Sequence, residues 1–297
     1  MRLEHTTIPV NGINLHVVQA GDPTGIPVIL LHGFPEFWYS WRNQIEPLVQ
    51  AGFRLYMPDQ RGYNLSDKPK DVAAYNMDIL ADDIIGLIDA IGIEQARIVA
   101  HDWGGAVAWW LANRNPERIT KLAVLNIPHH AVFSRALKTN PKQRRKSLYM
   151  AFFQLKGLAE FALKLGKGSL LARWAFGKDN PAFTAEDIEQ YKVAWSQPGA
   201  ITAMLNWYRA VRQHRPQSLN SPQIHVPVLL IWGKRDWAFD FNLAEDSIRL
   251  CDDGQLIMID QASHWVQHEA AEPVNKVLID WLSMLGSGSL AGRHKPN

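Results

Sequence analysis

The chain has 297 residues, 47% of them apolar, and a formal net charge of +2, which suits one large domain or a domain with an insertion and excludes a disordered chain. That charge gives no electrostatic reason to expect nucleic acid, an acidic substrate or a membrane surface as partner. Cys251 is the single cysteine, so no intramolecular disulfide is possible; "MRLEHTTIPV" lacks a signal pattern and no apolar run reaches spanning length, so a soluble, cytoplasmic protein without membrane insertion is expected.

In chain order, "LEHTTIPV" and "INLHVVQA" flank Asn11-Gly12, a strong signal for a two-residue hairpin. Short apolar strands then alternate with helical stretches: "IPVILLHG", "FRLYMPDQ", "ARIVAHD", "KLAVLNIP", "VPVLLIWG" and "QLIMIDQ". Continuous apolar runs without alternation suit strands buried on both faces of a mostly parallel sheet, and "NMDILADDIIGLIDAIGI" carries apolar residues at helical spacing. The expected class is α/β with flanking helices. Between Pro128 and Val226 the rhythm breaks into aromatic-rich helical stretches such as "SLYMAFFQLKGLAEFALKL", "TAEDIEQYKVAW" and "ITAMLNWYRAVRQ". An insertion at the carboxyl end of a strand lies over the crevice where such sheets bind ligands. The expected division is a core of residues 1–128 and 220–286, a helical cap of 129–219 and a disordered tail of 287–297. The basic run from Lys138 to Lys146, "KTNPKQRRK", reads as a solvated face rather than a nucleic-acid site.

Chemistry concentrates at three strand ends. "IVAHDWGG" closes an apolar strand on Asp102, with small residues Ala100 and Gly104 around it, the outline of a sharp strand-to-helix turn that presents its central side chain. Alone, that outline also suits an Asp capping the next helix. Asp236 follows "VPVLLIWG" and His264 follows "QLIMIDQ". Nucleophile, acid and histidine in that order is the order of the α/β-hydrolases. The "HGFP" turn after an early strand aims the N–H of Phe34 at the same point as that of Trp103, a pair able to form an oxyanion hole. His264 and His268 have a helical chelating spacing, but "WVQ" between them lacks the glutamate of a metalloprotease motif, and neither a metal nor an organic cofactor is expected.

"HGFPEFWYSWRNQ", "DQRGYNLSDKP", "HDWGG", "NWYR" and "SHWVQHE" together resemble the epoxide hydrolases of the α/β-hydrolase fold over nearly all of residues 1–286. The resemblance implies two cap tyrosines facing the nucleophile. Tyr208 in "NWYR" matches one closely. Tyr149 in "LYMAFFQ" matches the other by its spacing to Phe153 and Gln154, and Tyr191 is left as packing.

A carboxylate nucleophile selects the reaction. Serine attacking saturated carbon would leave an ether that activated water cannot open, whereas aspartate leaves an alkyl ester whose carbonyl water can attack. The carboxylate alone leaves epoxide and haloalkane open; with the two cap tyrosines that the resemblance implies, the expectation is epoxide opening by Asp102 with Tyr149 and Tyr208 as hydrogen-bond donors, then ester hydrolysis by water activated by His264 with Asp236 behind it. Phe153, Trp207 and Trp265 are expected to contact an apolar small-molecule epoxide, in a monomer or homodimer, with detoxification, catabolism and signalling-lipid turnover all open as its role. A dehalogenase using the same Asp, and a non-catalytic binder of this fold, remain the alternatives at this level.

Overall fold

The computed structural model describes residues 2–214, 216–217, 219 and 221–284, so the expected tail at 287–297 lies outside the described residues. Eight strands form one sheet: β1 Glu4–Val10, β2 Ile13–Ala20, β3 Ile26–Leu31, β4 Phe53–Pro58, β5 Ala96–His101, β6 Ile119–Leu125, β7 Val228–Gly233 and β8 Gly254–Ile259. Their order is β1-β2-β4-β3-β5-β6-β7-β8. β2 pairs antiparallel with both β1 and β4, and every pairing from β4 through β3 to β8 is parallel. Asn11 and Gly12 both have positive φ, 43° and 75°, as a tight hairpin that follows the strand twist requires.

The parallel strands are buried on both faces because each side chain has its own core. Ile29, Leu31, Ile98, Ala100, Leu122 and Val124 face one apolar cluster. Val28, Leu30, Val99, Ala123, Leu229 and Ile231 face the other. This is the period-2 alternation of a strand with helices packed on each side. Helices Met77–Ala90 and Asp102–Arg114 cover the first face, and Arg42–Gln50 and Ala271–Ser283 the second.

Seven α-helices, from His130–Thr139 to Ala200–Gln213, connect β6 to β7, and no described strand interrupts them. The long stretch "SLYMAFFQLKGLAEFALKL" is not one helix. It divides into Leu148–Phe152 and Leu158–Lys164, and Gly157, which caps the start of the second, takes φ 80°, a backbone conformation open to glycine that re-aims the chain. Trp195 Nε1 donates to Pro35 O at 2.6 Å, Tyr191 Oη donates to Glu36 Oε1 at 2.7 Å, and Arg42 Nε pairs with Asp187 Oδ1 at 2.9 Å. These bonds seat the helical segment on the turn and helix that follow the carboxyl end of β3. No described helix is long and apolar enough to cross a membrane.

Candidate active site

β5 ends at His101, and the helix Asp102–Arg114 begins at the next residue. So abrupt a reversal places Asp102 at φ 47°, a left-handed conformation that side chains other than glycine adopt at a cost. Surrounding glycines make room for it. A Cβ on Gly104 would lie 2.4 Å from Leu31 O, and one on Gly33 would lie 2.4 Å from Asp102 Cβ. The turn therefore depends on close backbone approach from β3 as well as on its own sequence.

Asp102 is buried, and its two oxygens have different partners. Oδ1 accepts the N–H of Phe34 at 2.9 Å; Oδ2 stands 3.5 Å from His264 Nε2. Burial opposes its ionisation, but His264 and the Phe34 N–H outweigh that and hold the carboxyl below its ordinary range. The N–H of Trp103 lies in the first turn of the helix, where backbone donors have no intrahelical acceptor.

His264 is buried, and Nδ1 donates to Asp236 Oδ2 at 2.9 Å. Burial pushes the imidazolium down, but Asp236 and Asp102 together bring it up to about 10. Asp236 is itself fully engaged. Oδ1 accepts the N–H groups of Ala238 and Phe239 at 2.6 and 2.9 Å, while Oδ2 also accepts Asn126 Nδ2 at 2.7 Å. Asn126 follows β6 at φ 46° and accepts the Gly233 N–H at 2.9 Å. It fixes the acid from the neighbouring strand, a role that sequence reasoning missed because "VLNIP" reads simply as a strand end.

Tyr149, from Leu148–Phe152, and Tyr208, from Ala200–Gln213, meet with ring centroids 5.9 Å apart. Tyr208 stands edge-on to Trp103 at 4.9 Å and to Phe34 at 5.2 Å. Burial, reinforced by the Asp102 charge, raises both phenols above their ordinary pKa, so both remain O–H donors at neutral pH.

Two spaces meet at Asp102, Tyr149 and Tyr208. One, of about 340 Å³, runs along the face of the Asp102–Arg114 helix past Trp103, Ala106 and Trp110 and is walled by Ile127, Phe133 and Leu137. The other, about 10 Å³, lies against His264 between Trp174, Trp237 and Trp265. Trp265 thus lines the same space as Asp102 and His264. Phe153 packs behind them on Phe34 and Tyr208, at 5.5 and 4.9 Å. Trp207 turns into the core, where its indole donates to Arg61 O at 2.9 Å and its ring abuts Trp103, and it lines neither space beside Asp102.

A buried polar cluster under the site carried no local sequence signal. Glu36 accepts from Tyr191 and His268 on Oε1, at 2.7 and 2.8 Å, and from Gln267 on Oε2 at 3.1 Å. His101 Nδ1 lies 3.3 Å from the same carboxylate, and its Nε2 donates to the His264 carbonyl at 2.9 Å. Burial works against the Glu36 charge, yet His268 and His101 hold its carboxyl well below the usual range. Tyr191, expected as packing, is thus a hydrogen-bond donor, and His268 serves Glu36 rather than a metal.

The profile of the alpha/beta hydrolase fold family matches residues 26–271. The AB hydrolase superfamily protein YfhM of Bacillus subtilis is 49% identical over 93% of this chain and 96% of its own length. Epoxide hydrolase 1 of Caenorhabditis elegans is 38% identical, over 93% of this chain and 69% of its own. An epoxide hydrolase from Bacillus megaterium, solved in complex with an inhibitor, superposes with a TM-score of 0.86 at 32% identity, covering 94% of this chain and all of that one. Epoxide hydrolase A from Mycobacterium thermoresistibile gives 0.81 at 30% identity, over 95% of this chain and 98% of that one. With an aspartate at the strand-to-helix turn, an Asp-backed histidine beside it and two phenols above, the chain belongs to the α/β-hydrolase fold family, on the branch it shares with epoxide hydrolases.

Proposed function

We propose that the chain converts apolar epoxides and water to vicinal diols through an alkyl ester on Asp102, with residues 129–219 acting as the cap that supplies the acids. The observation that carries this reading is the meeting of Tyr149 and Tyr208 at the space that Asp102 lines. A halide leaving group needs N–H donors and no proton; a developing alkoxide is met by two protonated phenols.

In the first step Asp102 Oδ2 attacks one epoxide carbon. The C–O bond breaks, and the ring oxygen takes a proton from the tyrosine pair. Oδ1 becomes the ester carbonyl, already in the hydrogen bond from Phe34. Esterification removes the negative charge that had raised His264, so the imidazole gives up its proton, which returns through solvent to the phenolate left by the first step, and can serve as base. His264 then takes a proton from water, and the hydroxide adds to the Asp102 carbonyl carbon. The N–H groups of Phe34 and Trp103 hold the oxyanion, collapse expels the diol alkoxide, protonated by His264, and the regenerated Asp102 carboxyl returns its proton to the imidazole. The space of about 10 Å³ beside His264 matches one water molecule.

The larger space gives the substrate its shape. Asp102 and Trp110 are eight residues apart on one helix, roughly 12 Å at 1.5 Å per residue, and the walls between them are apolar. The best fit is an epoxide with one elongated apolar substituent. The test is incubation with styrene oxide and, separately, a haloalkane, assaying diol and halide. Diol without halide supports the reading; halide would replace it with dehalogenation, and neither product with a binding role. A single turnover in heavy-oxygen water checks the ester: the first diol carries unlabelled oxygen and Asp102 carries the label.

A further inference from the structure

The net charge of +2 conceals a strong asymmetry. Residues 141–178 hold nine Lys and Arg against one carboxylate, Glu160, a local charge of +8 that leaves the rest of the chain net acidic. Glu160 is turned inward and bonded to Arg209. Lys156, Lys164, Lys167 and Arg173 are exposed and make no ion pair among the described residues.

The same segment exposes apolar side chains that have a core available on the opposite side of their helices. Ala159 and Leu163 face inward from Leu158–Lys164, while Leu158 and Phe161, three apart on the helix, are 54 and 64% exposed, and Leu165 just beyond its end is 44% exposed. Leu148, Leu155 and Leu170 are exposed as well, at 64, 49 and 46%. Single exposed leucines are ordinary, but a run of them rimmed by unpaired cations marks a binding face. Trp174, 37% exposed, joins this face to the narrow space beside Asp102.

We infer that this face of the helical segment docks reversibly on an anionic lipid bilayer, with the leucines and Phe161 at the acyl boundary and the lysines at the headgroups. Charge selects this occupant. A second copy would set +8 against +8, whereas an anionic bilayer complements both the charge and the exposed apolar side chains, the pattern of an interfacial amphipathic surface. The inference does not depend on the chemistry at Asp102.

The test is co-sedimentation of the full chain with vesicles of mixed phosphatidylglycerol and phosphatidylcholine, and with phosphatidylcholine alone. Binding is expected to the anionic vesicles at ~0.05 M salt and to weaken strongly at ~0.5 M, where screening shortens to a few ångströms. Reversing Lys156, Lys164 and Lys167 to Glu should lower the partition coefficient by at least about a hundredfold, at about fivefold for each of the three cations lost and before the added carboxylates are counted. Leu158→Ser with Phe161→Ser should lower it independently, with vesicle-free diol formation and thermal midpoint retained. Should the charge-reversed chain fail to fold, the salt series and the Leu158/Phe161 variant decide. A parent chain left in the supernatant with anionic vesicles at low salt overturns the inference. So does equal binding by a folded variant, or a dimer that Phe161→Ser dissolves without any vesicle binding.

Discussion

His264 Nε2 and Asp102 Oδ2 lie 3.5 Å apart, while Nδ1 of the same ring is 2.9 Å from Asp236. One imidazole thus stands between two carboxylates, and only one of them is consumed by the proposed ester. The ring is held cationic before the substrate is bonded and freed to act as base afterwards.

This arrangement makes a prediction about stability. His264 is raised from an ordinary value near 6.5 to about 10, so the stability it contributes is complete below about pH 6.5 and lost as pH rises through 10. Thermal midpoints measured across that window should fall more steeply for the parent chain than for His264→Gln. Parallel curves would mean that the imidazole is not held cationic.

His264→Gln should also separate the two steps. Opening of the epoxide by Asp102 persists, and the second step stalls, so mass spectrometry should find the protein heavier by one substrate molecule. Asp102→Ala should abolish both adduct and diol, lowering turnover by on the order of 10⁴ or more. An unmodified His264→Gln protein after incubation would remove His264 from the role of base.

Tyr149→Phe and Tyr208→Phe each delete one donor to the ring oxygen. Each should lower kcat/KM by about 10²–10³, the usual cost of one donor to a developing oxyanion. The double variant should lose more than either, while circular dichroism stays unchanged. An unaffected rate in both single variants would leave the acid unassigned.

A second substituent on the epoxide would have to enter the space of about 10 Å³ between Trp174, Trp237 and Trp265. Terminal epoxides should therefore exceed trans-disubstituted ones in kcat/KM by at least ~10-fold, the scale on which an apolar pocket rejects excess carbon. Trp237→Ala should narrow that ratio.

Gly33→Ala tests the turn itself. The added Cβ would fall 2.4 Å from Asp102 Cβ and 2.8 Å from Oδ1. A loss of roughly 1–3 kcal/mol in stability, typical of overpacking, should accompany a much larger loss of activity.

Legibility in the sequence followed the range of the interactions. Asn11-Gly12, the apolar strand runs and the strand-end positions of Asp102, Asp236 and His264 are local patterns, and the fold realises each of them. The two cap tyrosines were visible only through resemblance, since nothing in the spacing of Tyr149 and Tyr208 brings them together. Asn126 meets Asp236 across 110 residues, and Glu36 meets His268 across 232; pairings of that span leave no periodicity to read. Trp207 and the break at Gly157 failed for a related reason. Helical spacing says that a face is apolar, but tertiary packing decides which ring reaches the ligand and where a helix stops.

Glu36 and Pro35 belong to the turn that carries Phe34, and they are also where Tyr191 and Trp195 fasten the upper helices to the sheet. Seat and donor are thus one mechanical unit. The helix Ala185–Ser196 cannot lift from the core without breaking its bonds to the turn whose N–H holds Asp102, so the seating of that helix and the position of the Phe34 N–H are coupled by construction.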